Sequence, residues 1–460
     1  MKKTNAFFMK RGILTAMAVV LTFGLSRAQT DSSYTLQQCI DYALKNSTNI
    51  QNAELDAAIA RARMGEVRSA GLPQITSQAQ LVDNPTLQRM FLKNGAFYTD
   101  PTQPIGSTIA VRNLFQQRSS GDINASASQL IFNGSYFVGL KAAKAYSELA
   151  DKNTEFSKVE IVSNVTKAFY LVTITKERIA ILNANISRVD TLLRQTSSMQ
   201  QKGFVEVIDV SRLEVTYNNL LTEREKFLNL IVISELLLKF QMGYDVNKNI
   251  TLTGTIEDLK KAETATLGAK VDYNNRVEYQ LLNSQRKLEN YNLKNIRAGY
   301  LPTISAFGKI GTIRMDQNIG AVLSNKWYSY NMWGLTANLS IFDGFNKRYK
   351  AQQSKIAIRK IENSIQNFEE TADLQVQQSE ITLKNNMKSL EIQKKNVDLA
   401  KEVSNVSKIK YQQGVGSNLE VVTAESSYKE AQTNYYNALY DLIIAQVDYQ
   451  KALGTLYNAQ

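Results

Sequence analysis

Apolar positions near the C-terminus recur at alternating spacings of three and four: Val421, Ala424, Tyr428, Ala431, Tyr435, Ala438, Leu442, Ala445 and Tyr449. This heptad seam predicts a helix over 418–455 whose apolar stripe alternates small and large residues. Ile358, Ile361, Ile365, Phe368 and Ala372 keep the same spacing before the pattern drifts. Stretches 135–241 and 345–460 hold no proline and are rich in good helix formers. Helices are therefore predicted at 36–70, 136–201, 206–241, 273–299, 346–412 and 418–455. At about 1.5 Å of rise per residue, the two longest run about 100 Å. A helix that long with a narrow stripe needs neighbours, and either an antiparallel coiled coil or a wall of many helices supplies them.

Between the helices the period changes to two. Trp333, Leu335, Ala337, Leu339 and Ile341 alternate with Gly334, Thr336, Asn338 and Ser340, and Ile75, Ser77, Ala79 and Leu81 alternate more weakly with Gln74, Thr76, Gln78 and Gln80. Strands are predicted at 72–83, 122–132, 303–314 and 330–342, each long enough to cross a hydrocarbon layer when tilted. Trp327, Tyr328, Tyr330, Trp333 and Phe342 form a candidate aromatic girdle at a membrane interface. A sheet over a soluble core would alternate in the same way. Four strands cannot close a barrel, and an open edge cannot face lipid, so a membrane reading requires several chains. Three chains would supply about twelve strands.

The plan occurs twice. Leu72-Pro73-Gln74-Ile75 recurs as Leu301-Pro302-Thr303-Ile304, and Ile131-Phe132-Asn133-Gly134 as Ile341-Phe342-Asp343-Gly344. Gly203 precedes Asp209 as Gly414 precedes Glu420, and both glycines follow their repeat's second motif by about 70 residues. Repeat 1 spans 29–241, a connecting segment 242–272, and repeat 2 spans 273–460. Within each repeat the two shorter helices, stacked end to end, match one long helix. The glycine bend turns one strut back along the other.

The first 28 residues read as a signal peptide: Lys2, Lys3, Lys10 and Arg11 precede an apolar run from Gly12 to Leu25, then Ser26-Arg27-Ala28. They carry five of the basic residues behind the formal net charge of +12 and no acids, and the remaining surplus is dispersed, which argues against nucleic acid. The chain has no histidine and one cysteine, which excludes histidine-dependent catalysis, imidazole zinc sites and an intrachain disulfide. Cys39 lies too far past the cleavage site for lipidation of the first mature residue. No apolar run after residue 28 reaches the length of a membrane-spanning helix. Glu369-Glu370 points to different sides of a helix, and no glycine-rich phosphate loop follows a strand. No catalytic residue, metal site or cofactor is expected.

The doubled helix-strand-strand-helix plan, the Leu-Pro strand starts, the Ile-Phe-[Asn/Asp]-Gly strand ends, the two glycine tips and the closing Ala452-Leu453-Gly454-Thr455-Leu456 resemble the TolC-like outer-membrane efflux proteins. The resemblance covers nearly all of the chain after the signal peptide. It implies a mainly α protein with a transmembrane β part, forming as a homotrimer a 12-stranded β-barrel continued by a long periplasmic α-helical barrel. It implies a passive channel of a tripartite efflux or type I secretion system in the outer membrane of a Gram-negative-type cell. The partners implied are outer-membrane lipid, a periplasmic adaptor and an inner-membrane pump of RND or ABC type.

Adaptor docking is implied at the tip turns, around Gly203, Gly414, Gly416 and Ser417. The family carries two acidic rings beside the second bend, one matching Glu420 and the other falling on Thr423, which is uncharged; Asp209 is the first repeat's counterpart of Glu420, and Arg212 takes the place of Thr423. Ser417-Asn418-Leu419-Glu420 also fits a capping box, so Glu420 caps a helix, lines a pore, or does both. Tyr411 and Gln412 are placed either to bond between helices or to face solvent. Segment 84–121 is an external loop that contacts lipopolysaccharide or stands free. The rival reading is a periplasmic adaptor or a structural coiled-coil surface protein.

Overall fold

The structure is a computed structural model and describes residues 33–113, 115–253 and 267–457. The signal-peptide reading and part of the connecting segment lie outside these residues. The chain begins with β1 (Ser33–Tyr34), α1 (Leu36–Asn46) and α2 (Thr48–Ser69), followed by strands β2 (Gln74–Asp83), β3 (Arg89–Lys93), β4 (Thr108–Arg112) and β5 (Ser119–Phe132). Then come α3 (Gly134–Gln201), α4 (Val207–Met242), β6 (Thr251–Leu252) and α5 (Val277–Ala298). The second half continues with β7 (Thr303–Asp316), α6 (Ile319–Ser324), β8 (Tyr328–Asn338), α7 (Asn346–Gln412) and α8 (Asn418–Leu453).

The described residues fall into two compact units, each drawing on both repeats. One contains residues 52–156 and 276–371 and holds the main sheet, antiparallel in the order β2-β5-β7-β8. The other contains residues up to 51, 157–275 and 372–460 and is helical, with β1 and β6 paired in parallel.

In the helical unit Cys39, Ala43 and Ile50 pack with Val165, Phe169, Val172, Leu238 and Met242. Along α8 the buried residues include seven of the nine seam positions, with Tyr435 and Leu442 half-buried. Glu425, Leu439, Ile443 and Val447 are buried beside the seam, so the covered stripe is broader than a two-helix contact needs.

Several boundaries differ from the sequence expectation. The helix expected over 36–70 is interrupted at Ser47, whose ψ of 124° leaves the helical region. Asn46, Ser47, Thr48 and Asn49 all favour caps over helix interiors. The helix expected from 273 starts at Val277, because the Asp272 carboxylate accepts from the Asn274 amide at 3.0 Å and forms a local turn. The strand expected to reach 342 stops at Asn338, opposite Thr303; the next partner position is Pro302, which has no N–H for the ladder. Strand β5 begins at Ser119 rather than 122, where Ser119 and Arg118 both donate to Asp83 across the strand pair, at 2.6 and 3.2 Å.

The loop at 84–121 contains a β3–β4 hairpin. Its tip is tied by buried Asn94, whose Nδ2 donates to the carbonyls of Asp100 and Gln103 at 2.9 and 2.7 Å.

Candidate functional site: the two-faced sheet and the helix tips

Cross-strand registers assign every sheet residue to a face. One row runs Ile75, Ala127, Gly308, Trp333; a second runs Ser77, Ala125, Ile310, Asn331. This face is dominated by Ile75, Ile123, Ile304, Ile310, Trp333 and Leu335, and its large side chains stand in the open: Trp333 is 88% exposed, Ile75 77% and Leu335 74%. The opposite face carries Gln78, Asn124, Gly311 and Tyr330 in one row and Gln80, Asp122, Ile313 and Tyr328 in another. There the Tyr330 hydroxyl donates to Asp122 at 2.9 Å and Lys309 lies 3.9 Å from the same carboxylate. Among the described residues nothing covers the apolar face, an exposure that water penalises by about 25 cal/mol per Å².

The five girdle candidates do not share a face. Trp333 stands on the apolar face, while Tyr328 and Tyr330 belong to the polar one. Trp327 is half-buried against the Gly121 backbone, and Phe342 lies beyond the end of β8, in edge contact with Phe345. Of the five, Trp333 alone has a register position on the apolar face.

Both outer strands, β2 and β8, leave an edge unpaired. In the helical unit α7 exposes Leu374, Ile381, Ile392, Leu399, Val403 and Val406, and α4 exposes Val215, Val232, Leu236 and Phe240. Among the described residues no helix is long and apolar enough to cross a membrane, and no cluster of His, Cys, Asp or Glu is arranged to hold a metal ion.

The two helix tips lie in the helical unit and share one geometry. The Gly203 amide donates to the Gln200 carbonyl and Phe204 to Met199; Gly414 donates to Tyr411 and Val415 to Lys410. The glycines adopt φ of +80° and +75°, the left-handed closure that only glycine enters without strain. Phe204, Val207, Ile208, Val415 and Leu419 are exposed around these turns.

Ser417 caps α8 by accepting from the Glu420 amide at 3.2 Å, but the return bond that would complete a capping box is absent among the described residues. The Glu420 carboxylate is thus exposed and uncommitted, as is the Thr423 side chain one turn on. Asp209 differs: Arg212 lies 3.5 Å from its carboxylate.

Side chains that the sequence did not single out join the two hairpins. Asn418 Nδ2 donates to the Asp209 carbonyl at 2.8 Å. Glu425, buried on α8, accepts from Ser404 of α7 at 2.6 Å and lies 3.5 Å from Arg188 of α3. Asn185 of α3 donates to Gln432 of α8 at 3.0 Å, and Lys429 of α8 pairs with Glu223 of α4. Glu425 carries one sequence signal, an acid flanking the apolar seam between Ala424 and Tyr428. Tyr411 is buried, with its hydroxyl 3.3 Å from Thr196 of α3, whereas Gln412 faces solvent.

Residues 39–240 and 274–455 match the family model described as outer membrane efflux protein. Outer membrane protein TolC of Vibrio cholerae is 19% identical over 331 residues, covering 72% of this chain and 75% of the relative. Among solved structures, CusC superposes with a TM-score of 0.73 at 14% identity over 91% of both chains. The CmeC outer membrane channel of Campylobacter jejuni gives 0.72 at 16% identity, covering 92% of this chain and 86% of its own.

Proposed function

Since the chain belongs to the outer membrane efflux protein family, we propose that it is one third of a channel that conducts substrates passively from the periplasm, or from an inner-membrane pump, to the exterior. The observation that carries this reading is the sheet itself: among the described residues it has four strands, two open edges, an uncovered apolar face and a polar face opposite. In the outer membrane both edges must be paired, because unpaired backbone groups cost several kcal/mol each in hydrocarbon. Pairing β8 of one subunit with β2 of the next, three times over, closes twelve strands around the polar face. The uncovered seams on α4 and α7 support the same closure, since neighbouring subunits would bury them as a continuous helical wall.

The tips form the periplasmic aperture of this channel. Exposed Glu420 carboxylates, one per subunit, favour cations there; the uncharged Thr423 leaves one such ring, and the Asp209–Arg212 pair contributes little net charge. Glycine turns at Gly203 and Gly414, with Gly416 and Ser417, present an apolar rim that suits a periplasmic adaptor in a tripartite efflux or type I secretion assembly, with a pump of RND or ABC type behind it.

Purified full-length protein reconstituted into planar bilayers tests the reading. Stepwise cation-preferring conductance, together with a detergent-resistant trimer that dissociates on boiling, is expected. A water-soluble monomer without conductance would overturn it.

A further inference from the structure

Four helix ends meet the sheet at one level, and their charge is one-sided. Tyr136 of α3 donates through its hydroxyl to the Arg68 carbonyl of α2 at 3.2 Å. Ser135 of α3 donates to the Asn295 carbonyl of α5 at 3.3 Å. The Lys347 ammonium of α7 lies 5.2 Å from the centre of the Tyr300 ring that follows α5. Arg68, Lys141, Lys144, Arg297, Arg348 and Lys350 are exposed on these four ends, and none is ion-paired among the described residues. Across 62–69, 134–147, 290–298 and 343–356 the only acids are Glu66 and Asp343, and Asp343 is engaged by Lys347 at 3.1 Å.

One of these ends is unfavourable as it stands: the Asp343 carboxylate accepts from the Lys347 amide at 3.1 Å at the start of α7, whereas at α3 the Tyr136 amide meets only the neutral Asn133 side chain, at 3.0 Å. Helices α3 and α7 have no acid in their first turn. The α7 N-terminus adds positive potential at Arg348, offset in part by Asp343, while Lys141 and Lys144 lie beyond the first turn of α3 and contribute their own charge. A fold that gathers cations at positive helix ends raises its own energy unless an anion lies alongside. The position supplies one. Phe137, Tyr300, Phe345 and Tyr349 are exposed at the same level, where the apolar face of the sheet ends; on the channel reading proposed above, lipid headgroups of the periplasmic leaflet are the adjacent phase.

We propose that this collar is a binding site for anionic phospholipid headgroups, bare phosphodiesters without a compensating cation. Guanidinium and ammonium groups take the phosphate while the aromatic rings lie among the upper acyl carbons. Zwitterionic headgroups satisfy the collar less well because their own cation competes for it.

The test uses the full-length trimer in vesicles of phosphatidylcholine with about a fifth phosphatidylglycerol, extracted in mild detergent, with retained lipids counted by native mass spectrometry. Wild type is expected to retain phosphatidylglycerol at least about five-fold above its bulk ratio, the effect of even one basic residue near a charged surface. Enrichment should fall in about 0.5 M salt and be insensitive to free inorganic phosphate. Lys141→Gln/Lys144→Gln/Arg348→Gln/Lys350→Gln should return the ratio close to bulk. Lys394→Gln/Lys401→Gln, remote in sequence from the collar, should leave it unchanged.

No enrichment in wild type, or equal enrichment in the quadruple variant, would overturn the proposal. So would a quadruple variant whose trimers fall apart with the lipid ratio intact, which would assign the cations to subunit contacts. Vesicles containing lipopolysaccharide provide a further arm: preference for it over phosphatidylglycerol would contradict the assignment to the periplasmic leaflet. Loss of conductance with lipid selectivity intact would sink the channel reading and leave this one standing.

Discussion

The Tyr411 hydroxyl lies 3.3 Å from Thr196 Oγ1, both side chains buried, one at the end of α7 and the other near the end of α3. Around them Leu192, Leu213 and Val421 close an apolar cluster, so each hydroxyl's available partner is the other. A neutral bond of this kind contributes about 1 kcal/mol, so if the proposed aperture opens by parting these helices, its loss shifts the balance toward the open form by about five-fold. Tyr411→Phe keeps the ring in the cluster and removes only the bond. Open probability in planar bilayers should rise by about that factor, with little change in trimer melting; an unchanged open probability would place the bond outside the gate.

Glu425 is the deeper fastening. Ser404 and Arg188 reach its carboxylate from two other helices. Because Arg188 is about one third exposed, the pair is partly screened, and a double-mutant cycle of Glu425→Gln with Arg188→Gln should return a coupling of about 1 kcal/mol in the melting of the trimer. Glu425→Gln alone should cost more than that, since it also disturbs the short bond from Ser404 in a buried site. Coupling indistinguishable from zero would reduce the contact to coincidence.

The uncommitted carboxylate of Glu420 makes selectivity testable by charge alone. In a salt gradient, Glu420→Gln should move the reversal potential toward zero and Thr423→Asp should move it the other way. Asp209→Asn should have the smaller effect, because Arg212 already offsets that charge. An equal effect at both acids would mean that the Asp209–Arg212 contact does not screen the pore.

Sequence periodicity made the fold class legible, because proline-free stretches of good helix formers and period-two runs each admit one backbone. The break at Ser47 was hidden, since four cap-favouring residues inside a helical pattern also read as a tolerated polar patch. The β3–β4 hairpin was obscured by the prolines around it, although Asn94-Gly95 marks its turn. At the tips the glycines were visible from φ requirements alone. The bridges from Asn418, Glu425 and Lys429 were not, because each joins residues about 200 positions apart. That Tyr328 and Tyr330 lie on the face opposite Trp333 was hidden for a simpler reason: aromatic content says nothing about which face of a strand a residue takes.

Burial pushes the Cys39 thiol up from 9.0 to about 12. The folded value lies above the unfolded one, so this contribution to stability is complete below pH 9 and lost as pH rises toward 12. The loss is about 1.4 kcal/mol per pH unit within that window. Alkaline melting of the wild type should fall more steeply over this range than that of Cys39→Ala, which has no thiol to ionise. The native thiol should also resist iodoacetamide at pH 8 until the chain unfolds. Equal slopes for the two proteins would show that the thiol is not shielded.

Gly414 and Gly243 both sit at left-handed φ, +75° and +68°, yet their substitutions should differ sharply. At Gly414 a Cβ would meet nothing within 4 Å, so Gly414→Ala carries only the backbone penalty of about 1–2 kcal/mol. At Gly243 a Cβ would lie 2.4 Å from the Asn46 carbonyl oxygen and 3.1 Å from Ser47 Cα, at the break between α1 and α2. Backbone cannot rotate away as a side chain can, so Gly243→Ala must displace the end of α4 from the core around Met242 and Leu238. Thermal dissociation of the trimer should therefore drop by a few degrees for Gly414→Ala, while Gly243→Ala should drop far further or fail to assemble. A similar loss for both would mean that the close approach at Ser47 is not fixed in solution.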